Sequence, residues 1–95
     1  MKKTFPLQVP GKDDARVRDK IRHEVNKCVR RERRKEFPAG FDGWDFRCRV
    51  GVSPGDAPVR LLKEVGGAID AVALTGAPAV YVEITAAPAR RKTAP

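Results

Sequence analysis

The strongest candidates for functional residues in this chain are the basic side chains within residues 13–36. At about 100° per residue, one side of the helix predicted there carries basic residues at alternating steps of four and three. This series is Arg16, Lys20, His23, Lys27, Arg30 and Arg34. No acidic residue interrupts it, and Arg31 lies beside it. Cations repeated along a helix suit contacts with successive phosphates, as in RNA or DNA.

Local helix chemistry can also account for this series. Arg30, Arg31 and Arg34 lie near the C-terminal end of the helix, where the helix dipole stabilises cations. Glu24 and Glu32 are spaced to pair with neighbouring lysines. The sequence therefore predicts polyanion binding, with a solvated surface or contact with an acidic protein partner as alternatives. The predicted binding residues are Arg16, Lys20, Lys27, Arg30, Arg31 and Arg34, called the cationic row below, together with Arg47 and Arg49.

Arg47 and Arg49 belong to a second predicted surface. Residues 44–52 alternate between apolar and polar, which predicts a strand with these two arginines on its outward side and Trp44 on its core side. Tyr81 takes an outward position on another predicted strand. Aromatic and guanidinium groups on a sheet can stack on unpaired bases. A single tyrosine also fits an ordinary polar sheet surface, so both interpretations stay open.

The sequence does not contain a convincing catalytic or metal-binding arrangement. Asp19 and His23 lie one helical turn apart, which suits an acid–base pair, but a histidine among arginines is more typical of a solvated surface. Cys28, Cys48 and the single histidine do not make an ordinary zinc site. Phosphate-binding loops, nucleophile elbows and dinucleotide motifs are absent. We therefore predict a protein without enzymatic activity, cofactor or metal.

Composition indicates a small, basic, folded chain. Its 95 residues carry a net charge of +8 and are 41% hydrophobic, which suits one domain with one core and a polyanionic partner. Glycine, aspartate and proline interrupt the least polar stretch, residues 65–82, so no membrane span is predicted. Residues 4–8 are too short and polar for a signal-peptide core. A cytoplasmic location is expected.

The elements that position the cationic row are predicted in the order β-α-β-α-β. Alternating apolar residues predict strands at residues 4–9, 44–52 and 79–85. Helical spacing predicts the long helix and a second one, from an N-cap at Asp56 to a C-terminal Gly76. We predict an α/β fold, with α+β as the alternative: a three-stranded sheet with both helices on one face. The other face is expected to be wet, and strand order is left open.

The predicted domain covers residues 1–87. Residues 88–95 are rich in proline, alanine and cations and are predicted to form a flexible basic tail. This tail would add positive charge for contacts with phosphates.

Several segments resemble a small family of uncharacterised bacterial proteins. The segments that carry the resemblance are residues 1–7 (MKKTFPL), 23–25 (HEV), 31–35 (RERRK), 44–46 (WDF) and 81–84 (YVEI). The resemblance implies a bacterial cytoplasmic protein and supplies no site residues. The predicted element order is also similar to small RNA-binding folds of ribosome-associated proteins, and this likeness is the reason to favour RNA over DNA.

Overall fold

The computed structural model describes residues 1–90 of the chain. The elements are β1 (Lys2–Pro6), α1 (Asp14–Arg33), β2 (Gly43–Gly51), β3 (Val59–Arg60), a 3-10 helix (Leu62–Glu64), α2 (Val65–Leu74) and β4 (Ala79–Ala89). Within residues 1–90, no helix is both long and apolar enough to cross a bilayer.

The strands form one antiparallel sheet in the order β1-β4-β2-β3. β4 is a central strand, because it pairs with β1 on one side and with β2 on the other. α1 connects β1 to β2, which have β4 between them, and α2 connects β3 to β4, which have β2 between them. Both connections are therefore split β-α-β units. The fold is α+β, the alternative class that the sequence allowed.

The predicted three-stranded sheet is wrong by one strand, because β3 was missed. Val59 and Arg60 pair with Arg49 and Cys48 of β2, so the element order is β-α-β-β-α-β. These two residues lie where the second helix was expected, and α2 begins later, at Val65. A strand of two residues is too short to show an alternating pattern in the sequence.

Both helices pack on the same face of the sheet, as predicted. The buried core residues come from α1 (Val17, Ile21, Val25, Val29), α2 (Val65, Ala68, Ile69), the sheet (Phe5, Cys48, Val50, Val80, Val82, Ile84) and Leu7, which follows β1. The apolar side of α1 therefore lies on the sheet. The opposite side of the helix is left for solvent or for a partner.

The start and end of α1 follow from local chemistry. Asp13 has extended backbone angles, and its carboxylate accepts a hydrogen bond from the Ala15 amide at 3.3 Å, as an N-cap residue does. The helix ends at Arg33, shortly before Pro38, a residue that disfavours a helical conformation at the position preceding it. Arg34 is the C-cap residue, and its backbone amide donates a hydrogen bond to the Arg31 carbonyl oxygen in the last turn.

Alanine in place of Gly67 is expected to raise the free energy of unfolding by up to about 1 kcal/mol. Gly67 lies inside α2, and a β-carbon built there meets no atom within 4 Å. The substitution therefore adds helix propensity without a clash. Denaturant unfolding of the Gly67→Ala variant measures the change, and an equal or lower stability would contradict the expectation.

β4 is longer than the predicted strand at residues 79–85. It continues to Ala89, and its last residues pair with the start of β2: Pro88 lies opposite Trp44, and Ala89 opposite Gly43. The predicted tail of residues 88–95 thus begins inside the sheet. The remainder of that tail, residues 91–95, lies outside the described residues.

The sheet face opposite the helices, predicted to be wet, is covered at one end. Residues 52–58, called the covering loop below, fold back over it. Arg49 holds this loop: its side chain donates hydrogen bonds to the carbonyl oxygens of Ala57 and Pro54, each at 2.9 Å. Tyr81 is only 7% exposed. Its hydroxyl donates a hydrogen bond to Glu83 at 2.8 Å, which, together with burial, raises the pKa of Tyr81.

Gly51 is the point where the covering loop meets the sheet most closely. A β-carbon at this position would lie 2.0 Å from the Asp56 carbonyl oxygen and 2.5 Å from the Ala57 α-carbon. The Val52 amide donates to that same Asp56 oxygen at 3.2 Å, so the close approach is part of the hydrogen-bonded turn. Only glycine fits here without movement of the backbone.

Candidate functional site

The cationic row lies on the solvent side of α1, as the helical spacing predicted. All six members are exposed, as is His23 between them. From Arg16 to Arg34 the row extends over about 27 Å, at 1.5 Å per residue. α1 is therefore a rigid support that displays cations along most of its length.

Two other arginines of α1, Arg18 and Arg22, form ion pairs on the side that faces α2. Asp70 accepts ion pairs from Arg18, at 3.2 Å, and from Arg22, which also pairs with Asp19 at 3.0 Å. At the end of the helix Lys35 pairs with Glu32 at 2.8 Å. The ion pairs of this helix therefore involve residues outside the row.

None of the six row cations has a carboxylate oxygen within 4.0 Å among residues 1–90. The sequence allowed Glu24 to pair with Lys20 or Lys27, and within the same part of the chain it forms no such ion pair. The row therefore presents uncompensated positive charge. Like charges one turn apart repel by a few tenths of a kcal/mol per pair, a repulsion that a bound polyanion would relieve.

The N-terminal half of the row borders a groove between α1 and β1. Its volume is about 990 Å³. The floor is apolar, and the rim adds two cations that the sequence analysis did not select, Lys3 and Lys12. The polar residues of the groove are Lys3, Lys12, Asp13, Arg16, Lys20 and Glu24. Lys3 lies on β1 and Lys12 precedes the N-cap Asp13. Both are outside the helix, so the helical series did not include them.

The C-terminal end of α1 lies against aromatic rings. The Arg33 guanidinium lies 5.5 Å from the centre of the Phe46 ring, and the rings of Phe37 and Trp44 are 5.7 Å apart and tilted by 40°. Trp44, predicted to be a core residue, is only half-buried. A shallow pocket of about 470 Å³ opens between these side chains.

The two sheet arginines are not part of this surface. Arg47 is exposed on the face opposite α1, and Arg49 bonds the covering loop and Glu83. Tyr81 is buried, so the arrangement of an accessible tyrosine beside two arginines does not form. The candidate surface therefore consists of the six cations of the row and does not include Arg47 or Arg49.

The remaining titratable groups offer no assembled reaction centre in the described part of the chain. Residues 1–90 contain no group of three or more His, Cys, Asp or Glu side chains placed to hold a metal ion. Asp19 pairs with Arg22. Cys28 and Cys48 are free thiols, and burial, with a smaller contribution from Cys28, raises the pKa of Cys48. That thiol therefore stays protonated near neutral pH.

The fold and this surface define a small α+β protein with an exposed, uncompensated cationic helix. The chain belongs to a family of unknown function, DUF6172, whose model matches residues 1–94. This confirms the resemblance to an uncharacterised family over nearly the whole chain. No curated protein and no solved structure gives a significant match.

Proposed function

We propose that this protein is a non-enzymatic nucleic-acid-binding module of the bacterial cytoplasm that contacts phosphates through the cationic row. One observation carries the proposal: six exposed cations follow one side of α1 without carboxylate partners among residues 1–90, while Arg18 and Arg22 on another side are paired. Neutralising phosphates with such cations releases condensed counterions, which drives binding.

RNA is the favoured nucleic acid in this proposal. The support is the likeness of the element order to small RNA-binding folds, an argument by fold analogy. Titrations with RNA and DNA of the same sequence and length test it directly. Equal affinities for both would remove the preference for RNA and leave the phosphate contacts of the row in place.

Reversing three charges of the row is expected to abolish binding. The variant carries Lys27→Glu, Arg30→Glu and Arg34→Glu, which replaces attraction to phosphates by repulsion over the C-terminal half of the row. All three side chains are exposed, so the fold should be retained. Fluorescence anisotropy with a labelled RNA oligonucleotide measures the loss, and circular dichroism checks the fold.

A matched control separates the row from net charge. Lys2→Glu, Arg60→Glu and Lys63→Glu change the net charge equally at exposed positions outside α1. This control variant is expected to keep most of the affinity. Equal losses in the two variants would show that binding depends on overall charge, and unchanged binding in the row variant would exclude the row.

The alternative function is an interaction module that docks an acidic protein, and the outer edge of β1 favours it. The Met1 amine donates a hydrogen bond to the Ile84 carbonyl oxygen of β4, and the Ile84 amide donates one to the Met1 carbonyl oxygen. Because hydrogen-bonded and non-hydrogen-bonded pairs alternate along antiparallel strands, the backbone polar groups of Lys2, Thr4 and Pro6 face away from β4. An extended acidic peptide could add to this edge beside the cationic groove.

A co-purification experiment distinguishes the two functions. The nucleic-acid proposal predicts that the purified protein has a high ratio of absorbance at 260 nm to absorbance at 280 nm, which a high-salt wash lowers. Protein partners that remain bound after nuclease treatment, with no nucleic acid in the high-salt wash, would support the docking module instead.

A further inference from the structure

The C-terminal end of the cationic row adjoins four aromatic side chains that a phosphate-binding surface does not require. We call Phe37, Phe41, Trp44 and Phe46 the aromatic cluster. Phe37 is 46% exposed and Phe41 37% exposed. The two rings lie in the connection between α1 and β2, immediately after the row. Both rings are therefore accessible to a ligand, although Val59 and Leu74 elsewhere in the chain are more exposed.

Arginines lie against this cluster as well as beside it. The Arg33 guanidinium lies 5.5 Å from the centre of the Phe46 ring, and the Arg90 guanidinium lies 5.8 Å from that of Phe41. The shallow pocket between the rings is lined by Arg33, Phe37, Asp42, Gly43, Trp44 and Phe46, with Leu62. The Arg33 guanidinium and the rings of Phe37, Trp44 and Phe46 thus surround one opening. Phe41 and Arg90 form a separate ring–guanidinium pair.

Such a combination suits an unpaired nucleobase. Every base has a π-face, so it can stack on an aromatic ring or on a guanidinium plane whatever its sequence. The cations of the row next to the cluster, Arg30 and Arg34, are exposed, so they can contact phosphates while a base occupies the pocket. In a duplex the bases are stacked internally and cannot enter this pocket.

We infer that the aromatic cluster stacks unpaired bases, so that the nucleic acid bound by the row is single-stranded rather than duplex. This inference rests on the proposed function, since it assumes that the row contacts phosphates. It adds the class of ligand and a second type of contact, made by rings instead of charges.

The test compares three probes: a twelve-nucleotide oligouridylate, an RNA duplex with the same number of phosphates, and inorganic polyphosphate. Phe37→Ala with Phe41→Ala is expected to lower affinity for the oligouridylate about tenfold, the scale of one lost base stack. Affinity for the duplex and for polyphosphate should stay unchanged. Phe37→Tyr with Phe41→Tyr, which keeps both rings, should keep the affinity.

A matched control removes exposed apolar side chains elsewhere. Leu74 is 88% exposed and Val59 is 78% exposed, so Leu74→Ala with Val59→Ala tests for a general loss of apolar surface. This variant should bind the oligouridylate as the original chain does. Equal losses in the control and in the phenylalanine variant would overturn the inference.

Trp44 gives an independent readout, because it is the single tryptophan of the chain. The oligouridylate is expected to quench its fluorescence, whereas polyphosphate at the same occupancy should not. Salt-dependent binding without quenching and without a loss in the phenylalanine variant would overturn the inference alone. Absence of salt-dependent binding to all three probes would overturn the proposed function as well.

Discussion

Raising the salt concentration from about 50 mM to about 200 mM is expected to weaken binding of a single-stranded RNA by roughly 300-fold. Each phosphate contact on a single strand contributes about −0.7 to the slope of log affinity against log salt. Six cations in the row then give a slope of about −4. Anisotropy titrations at several salt concentrations measure this slope. A value near zero would contradict a phosphate-binding row.

The slope of log affinity against log salt also reports how many cations contact phosphates. The neutral triple variant Lys27→Gln, Arg30→Gln and Arg34→Gln removes three of the six contacts, so the slope should weaken by about 2. Glutamine at Lys2, Arg60 and Lys63 removes the same charge outside α1 and should leave the slope unchanged. A similar slope in the two variants would mean that the phosphates do not follow the row.

Alanine in place of Gly51 is expected to lower the free energy of unfolding by about 3 kcal/mol. The added methyl group would lie 2.0 Å from the Asp56 carbonyl oxygen, and backbone cannot move aside as a flexible side chain does. Either the covering loop separates from the sheet or β2 bends. The first outcome is expected to expose Tyr81, which is buried and lies opposite Gly51 in the pairing of β2 with β4.

Gly55→Ala is the matched control for this effect. Gly55 lies in the same covering loop, and a β-carbon there meets no atom within 4 Å. Denaturant unfolding of the two variants should show a large loss for Gly51→Ala and little change for Gly55→Ala. A Gly51→Ala variant as stable as the original chain would contradict the close approach of loop and sheet.

Features with a local periodic signal were predicted correctly. Val17, Ile21, Val25 and Val29 recur at the spacing of one helix side, and all four are buried. Val80, Val82 and Ile84 alternate along β4 and are also buried. Spacing along the chain is sufficient in these cases, because every member of the pattern belongs to one element. The exposure of the cationic row follows from the same geometry.

Features that depend on contacts between distant segments were missed. Arg49 holds the covering loop through hydrogen bonds to the carbonyl oxygens of Ala57 and Pro54, and no periodicity encodes those contacts. β3 has only two residues, too few to show an alternating pattern in the sequence. The second helix was predicted to begin before β3, whereas α2 begins after it. The pairing of Ala89 with Gly43 likewise depends on β2, so β4 was predicted too short.

The candidate surface was predicted in part for the same reason. The row lies on one helix, whereas Lys3 and Lys12 join its groove from β1 and the following turn. The aromatic cluster brings Phe37 of the connection together with Trp44 and Phe46 of β2, and the Phe41 ring lies against Arg90. One local signal was available: phenylalanines in a turn between two elements, next to Pro38 and Gly40, have little core to enter.

The central position of β4 has a consequence for the order in which the chain folds. β1 and β2 pair with β4, and β1 does not pair with β2. Met1 bonds Ile84, a separation of 83 residues, so the first strand remains without its sheet neighbour until β4 becomes available. Loop closure over such a distance is slow compared with formation of α1. We therefore expect the sheet to assemble late in folding, after α1 has begun to form.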